Sequence, residues 1–437
     1  MTGTKRAPLP PIHRPPPDPV APVRMGIWLY AWLLVMEGAL RKWFLPQYSD
    51  LLFVVRDPVV IGIYFLALRA QIFPFRPAVA LLGVLAVLSL VFALEQDTPY
   101  VIVAFGLRTN YLHLPLVFVM QAALDRDEVK RFGRWFMVLS LPILVLMFYQ
   151  FNASPHDVLN AGTGGVELGQ LRGAMGRIRP PGPFSFISGV VQWFSLTGAF
   201  VAHGWLERGA YRRALLLLAT GLVALAVPIS ISRSLLLGIL IVLAFVAAML
   251  LRDLRRIPNL IGPLVGVACL AAATVDTVYV QAFVTRWDEA ASAGGGDVYT
   301  NVVGRFVGLF AEPFRTAVDA PWLGHGIGMG TVAGARLITG KYQFLLAESE
   351  LARIILELGP LLGFAFVAWR AWLTIVLVWR GWRRVVEKHD SLPWLLTGGC
   401  FLNVLMAQWG QATSLGFSVF GAGLVLAALN DKRTAEA

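Results

Sequence analysis

Charge is what this sequence has least of. Only 14% of its 437 residues are Asp, Glu, Lys or Arg, whereas a soluble globular chain carries about 25%. With 57% of residues in the hydrophobic set, that scarcity excludes a disordered chain and a coiled coil, both of which need charge where this chain has apolar side chains. Cysteine is nearly absent. Cys269 and Cys400 both sit inside apolar runs and offer neither a disulfide framework nor a zinc cluster. The six histidines lack metal-ligand spacing, so the expectation is a metal-independent site with no cofactor. No internal repeat is visible, which leaves the inverted-repeat architecture of many secondary transporters without support.

What is there is apolar. Mean hydropathy is +0.67, and apolar segments recur near 26–45, 50–68, 77–94, 100–122, 135–151, 184–206, 214–231, 233–251, 258–276, 352–379, 393–409 and 412–430. At about 20 residues per crossing, twelve crossings consume roughly 240 residues and leave room for loops but not for a large soluble domain. The sequence therefore predicts an all-α, polytopic integral membrane protein of about twelve transmembrane helices. Residues 1–24, with eight of the 26 prolines, read as a disordered cytoplasmic tail. Spans one to nine occupy 25–276 with an external loop at 152–183, a long external loop fills 277–350 between spans nine and ten, spans ten to twelve occupy 351–430, and 431–437 form a second cytoplasmic tail.

The net charge of +11 is first a statement about orientation. With the amino terminus in the cytoplasm, the inner loops carry compact clusters such as Arg126, Lys130, Arg131 and Arg134, or Arg252, Arg255 and Arg256, or Arg380, Arg383, Arg384 and Lys388. These inner segments hold more than half of the 37 Lys and Arg, as the positive-inside bias demands. No nucleic-acid partner is needed to explain the charge.

The informative arginines are the external ones. Arg172, Arg177 and Arg179 crowd into Arg172-Gly-Ala-Met-Gly-Arg177-Ile-Arg179-Pro-Pro-Gly-Pro-Phe184. The planar guanidinium fork binds phosphate oxygens bidentately, and a position at the membrane edge suits the pyrophosphate of a lipid carrier. The alternative is contact with lipid headgroups or pairing with Glu167. Arg233 lies at the turn between spans seven and eight, where it either converges on the same anion or snorkels. Arg108, Thr109, Asn110 and His113 fall inside span four, where ionisable groups face a cavity or pair, here with Glu37 or Asp57.

In the long loop, a helix is expected over Asn301 to Val318, lying on the membrane interface. At its carboxyl end Glu350, Arg353 and Glu357 follow i, i+3 and i+7 spacing, which suits a structural charge ladder. Glu348 falls outside that ladder. A carboxylate at the outer rim can take a proton from an attacking sugar hydroxyl, or it can simply favour a helix start. His325, between alternate glycines in Gly324-His-Gly326-Ile-Gly328, is either a second base or a turn residue. Asp125-Arg-Asp127 reads as a helix cap.

Three stretches carry a resemblance: Arg177-Ile-Arg-Pro-Pro-Gly-Pro-Phe184, Ser232-Arg-Ser-Leu-Leu-Leu-Gly238, and Gly304-Arg-Phe306 through Pro321-Trp-Leu-Gly-His-Gly-Ile-Gly328 to Glu357-Leu-Gly-Pro-Leu-Leu-Gly363. Together they resemble the O-antigen polymerase and O-antigen ligase superfamily of bacterial envelope glycosyltransferases. The resemblance implies a bacterial inner-membrane enzyme with a long periplasmic loop that transfers glycan from undecaprenyl pyrophosphate to an acceptor glycan without metal or nucleotide. It implies membrane lipids, a chain-length regulator and export proteins as partners. It assigns Arg179 and Arg305 to the diphosphate or glycan and places Glu348 at the family's base position; the residue chemistry adds Arg177 and Arg233 as further ligands of the anion and His325 as an alternative base. The family often has His-Asn or His-Ser nine residues before the Glu of Glu-Leu-Gly; here Glu348-Ser349 stand there. That histidine is associated above all with ligases, so the expectation turns to polymerisation of O-antigen or exopolysaccharide repeats. Ligation to lipid A core or protein is the alternative within the family, and a lipid-linked oligosaccharide flippase the alternative outside it.

Overall fold

The computed structural model describes residues 18–163, 169–293, 308, 311–340 and 345–431. Helix α1 (Ala21–Ala39) continues into a π turn at Leu40–Phe44. It is followed by α2 (Ser49–Leu52), α3 (Asp57–Arg69), α4 (Pro77–Glu95), α5 (Tyr100–Leu107), a second π turn at Arg108–Leu112, α6 (Leu116–Ala123) and α7 (Arg126–Asn152). Then come α8 (Ile187–Leu206), α9 (Arg213–Ile229), α10 (Arg233–Leu250), α11 (Pro258–Thr274) and α12 (Val278–Ala293). Residues 311–319 form α13, followed by α14 (Val332–Thr339), α15 (Glu350–Lys388), α16 (Leu392–Met406) and α17 (Ala412–Ala428). Among the described residues there is no β-strand; one isolated bridge joins Arg172 and Ile178.

The protein is an all-helical, membrane-embedded chain. Among the described residues, seven stretches are long and apolar enough to cross a bilayer: Ala21–Phe44, Pro46–Arg69, Pro77–Glu95, Tyr100–Ala123, Arg126–Asn152, Arg233–Leu250 and Glu350–Lys388. An eighth appears if α11 and the first part of α12, bent by 89° at their junction, count as one. This is fewer than the twelve segments read from hydropathy, although each of those segments falls on a helix. The difference has a physical origin. Helices α9, α16 and α17 are short, and α8 carries Gln192, Ser195, Thr197 and His203. Helices α8, α16 and α17 pack on one another and on α6, α7 and α10, so protein surrounds them and supplies the partners that lipid cannot. All of α17 is buried. Its Gly416, Gly421 and Gly423 have no room for a Cβ against Arg56, Cys400 and Met120, the close approach that small residues permit.

Two sequence boundaries move. Helix α1 begins inside the stretch read as tail, because Pro22 suits a first helical turn. The long loop contains α12, α13 and α14. Of the helix expected over 301–318, only Gly308 and residues from 311 onward are described; within that part Phe314 is exposed and stacks at 5.3 Å on Phe364 of α15. Asp125 caps α7 as expected, its Oδ1 accepting from the Glu128 amide at 2.9 Å.

Side-chain contacts divide the molecule into two ends. At one, Arg126 reaches Glu207 and Asp390, Arg256 donates to the His389 carbonyl, Arg208 to Asn259, and Arg384 and Lys388 pair with Asp431. The basic clusters thus share an end. At the other, the loop before α8 meets the end of α1, and the turn between α16 and α17 meets the residues before α15. Between them lie buried ion pairs. Glu37 takes Arg41 at 3.2 Å and Arg56 at 3.0 Å, and Asp57 takes Arg108 and lies 2.9 Å from His113 Nε2. The polar cluster of span four is paired.

Candidate functional site

The segment that carries Arg177 and Arg179 is a tight hairpin. The Gly173 amide donates to the Arg177 carbonyl at 2.7 Å and the Arg179 amide to the Leu171 carbonyl at 2.9 Å, around a turn where Met175 and Gly176 have φ of 53° and 70°. The Pro-Pro-Gly-Pro run that follows is pinned from two sides. Gln150 of α7 receives the Gly182 amide at 2.8 Å, and the buried Lys42 Nζ donates to the Gly182 and Phe184 carbonyls, both at 2.7 Å. Gly38 is required there, since a Cβ would lie 2.4 Å from the Ser185 nitrogen.

The expected arginines part ways on this frame. Arg177 donates to the Phe151 and Asn152 carbonyls at 3.3 and 3.4 Å and lies 5.4 Å over the Phe151 ring. It therefore caps the C-terminal end of α7, where a cation offsets the helix dipole. Arg179 is half-buried, and its Nε is buried without a hydrogen-bond partner among the described residues. Burial first, and then the guanidiniums of Arg286 and Arg233, push it below the ordinary arginine value, with Glu289 acting in the opposite sense. An arginine does not release its proton in a protein. An anion bound beside Arg179 would relieve the repulsion that Arg286 and Arg233 exert on it. Arg233 opens α10 and lies 5.7 Å over the Trp287 ring, while Arg286 holds Glu289 at 3.0 Å. Arg286 and Trp287 were missed as site residues in the sequence; only the return of α12 toward the α7 end, where Asn152 bonds Tyr279 at 3.1 Å, brings them in. Arg305 lies outside the described residues.

Glu348 is exposed at the same end of the bundle. Its carbonyl accepts from Gln408 Nε2 at 2.8 Å, Gln408 accepts from Gln411 at 2.6 Å, and Gln411 accepts from Ser188 at 3.2 Å, just after the Pro-Gly-Pro run. That relay ties the Glu348 backbone to the start of α8. Glu348 lines a cleft with Gly330, Thr331, Glu350, Arg353 and Gly410. Beneath it the expected ladder exists: Arg353 contacts Glu350 at 2.8 Å, Glu357 at 2.7 Å and Asn110 at 3.1 Å.

His325 is exposed too, but it is not among the residues lining that cleft. Its loop docks on a break in α15: the His325 amide donates to the Leu356 carbonyl at 2.7 Å and Gly326 to Glu357 at 3.2 Å, where Gly359 leaves helical geometry at φ 75°. Gly324, at φ 75°, would place a Cβ 2.4 Å from the Glu357 carbonyl oxygen. The alternate glycines thus serve backbone approach, and the imidazole faces outward.

The fold and this polar end define a polytopic helical membrane protein with an arginine cluster on the loop side. No protein-family model matches the sequence, and no curated protein matches it significantly.

Proposed function

We propose that the chain is a metal-independent glycosyltransferase of the bacterial inner membrane, resembling the O-antigen polymerases and ligases, and that it polymerises repeat units carried on undecaprenyl pyrophosphate. In this reading twelve helices cross the membrane and both termini are cytoplasmic, in keeping with the basic clusters gathered at one end and the positive-inside bias. The Arg179 end then faces the periplasm.

The acceptor hydroxyl attacks the anomeric carbon of the donor, a new C–O bond forms, and the bond to pyrophosphate breaks with its electron pair leaving on phosphate oxygen. Glu348, or His325 in its place, takes the hydroxyl proton. Arg179 and Arg233, with Arg305, stabilise the charge that develops on the leaving pyrophosphate; Arg177 acts by holding the hairpin. The observation that carries the proposal is Arg179, half-buried, its Nε without a hydrogen-bond partner among the described residues and its charge opposed by Arg286 and Arg233.

Arg179→Ala and Glu348→Ala, each expressed in a deletion strain, are expected to cut polymer output by about 100-fold, the scale of a lost charge-stabilising donor or general base. Unchanged polymer length and amount in both variants refutes the site. Single repeats on the acceptor in the deletion strain indicate a polymerase; long chains left on the carrier lipid indicate a ligase. Movement of lipid-linked glycan across proteoliposomes without a new glycosidic bond would replace both with a flippase.

A further inference from the structure

At the end of the bundle opposite Arg179, a cavity opens where α10 ends beside the last turns of α15. Arg252, Arg256 and His389 line it together with Asp253, and Met249, Leu251, Val385 and Val386 form its apolar wall. Two of its polar groups are already engaged. Arg256 uses Nε on Asp253 at 2.9 Å and Nη2 on the His389 carbonyl at 2.9 Å, which leaves Nη1. Arg252 is exposed and has no side-chain partner among the described residues. The Asp253–Arg256 pair cancels, so Arg252 leaves the cavity with a positive charge. The surroundings say where that charge sits. Leu251, Leu254 and Ile257 are exposed at three-residue spacing around the same turn, placing apolar side chains outward at the level of Arg252 and Arg255, as at a membrane–water interface.

We infer that this cavity binds the headgroup of an anionic glycerophospholipid, its phosphate on Arg252 and Arg256 Nη1 and the start of its acyl chains along Met249, Val385 and Val386. Basic pockets between membrane helices are suited to such headgroups. A free phosphate offers the same oxygens but has no use for the apolar wall or for the exposed leucines around the rim, so the lipid is the occupant the lining favours.

The test is native mass spectrometry of the purified full chain, titrated with phosphatidylglycerol or phosphatidylcholine, with sn-glycerol 3-phosphate as a soluble competitor. Phosphatidylglycerol should bind in preference to phosphatidylcholine. Arg252→Ala should weaken it about tenfold, the loss of one charge-assisted contact, while Arg134→Ala, a cation elsewhere at this end, should not. Val386→Trp, which fills the wall and keeps every charge, should weaken it as well. Thermal melting in phosphatidylcholine nanodiscs separates loss of fold from loss of site. Equal binding by wild type and Arg252→Ala, or equal binding of the two lipids, overturns the inference. Competition by glycerol phosphate at the affinity of the lipid overturns it too, because the site would then take free phosphate.

Discussion

Arg353 is buried between two carboxylates, so replacing it with methionine keeps the aliphatic stem and leaves Glu350 and Glu357 facing each other without their shared cation. Removing one partner of a buried ion pair costs about 3–5 kcal/mol. Two features set the expected loss at the lower end. Arg370 Nη1 remains 3.6 Å from Glu350 Oε1, and Asn110 Nδ2 still reaches Glu357 Oε2 at 3.4 Å. Arg370 cannot move closer to compensate fully, because it is held by the Val404 and Ala407 carbonyls at 2.6 Å and lies 3.7 Å over Trp409. Arg353→Met is therefore expected to lose about 3 kcal/mol in reversible SDS unfolding followed by tryptophan fluorescence. Adding Glu357→Gln to it should recover about 1 kcal/mol or more, since contacting residues couple on that scale. A loss below about 1 kcal/mol for the single variant, or further loss in the double, would mean that solvent reaches the ladder and that the burial argument is wrong.

Three further outcomes are expected. Lys42→Met removes both bonds that hold the Pro-Gly-Pro-Phe run and should cost about 2 kcal/mol, two hydrogen bonds at about 1 kcal/mol each; limited proteolysis should then cut first within 169–186, and an unchanged pattern would show the run to be held by other contacts. Burial, opposed by Arg126, raises the Asp390 carboxyl above its ordinary range. A raised carboxyl favours the protonated folded state, so stability should fall as pH rises from the ordinary carboxylate value through the folded one and then level off, a slope that Asp390→Asn should abolish in the same unfolding assay. Gly324→Ala would place a Cβ 2.4 Å from the Glu357 oxygen at a φ of 75°, and should either fail to accumulate or unfold at least about 2 kcal/mol sooner, as strain at such a backbone position dictates.

The helices were legible because apolar runs of crossing length report themselves locally. The ladder of Glu350, Arg353 and Glu357 was legible for the same reason, its members lying one and two turns apart on one helix. Arg177 was not: in the sequence it is one more guanidinium beside Arg179, and only the fold reveals that the carbonyls ending α7 occupy it. Arg286 was overlooked in the opposite sense, since its approach to Arg179 depends on the bend between α11 and α12, set by contacts distant in the chain. The span count diverged because α9, α16 and α17 are short, α11 bends into α12, and α8 carries polar side chains that meet protein.

The enclosure of α17 bears on how the molecule is made. This helix leaves the ribosome after every helix it touches, α1, α6, α7, α8, α15 and α16 among them. Until it arrives, the Arg56 guanidinium that donates to the Ala412 carbonyl at 2.5 Å, and the Met120 side chain that packs against Gly423, border a vacant slot. Until the α16–α17 hairpin docks, the helices made before it share an open polar seam, and its docking closes that seam like a keystone.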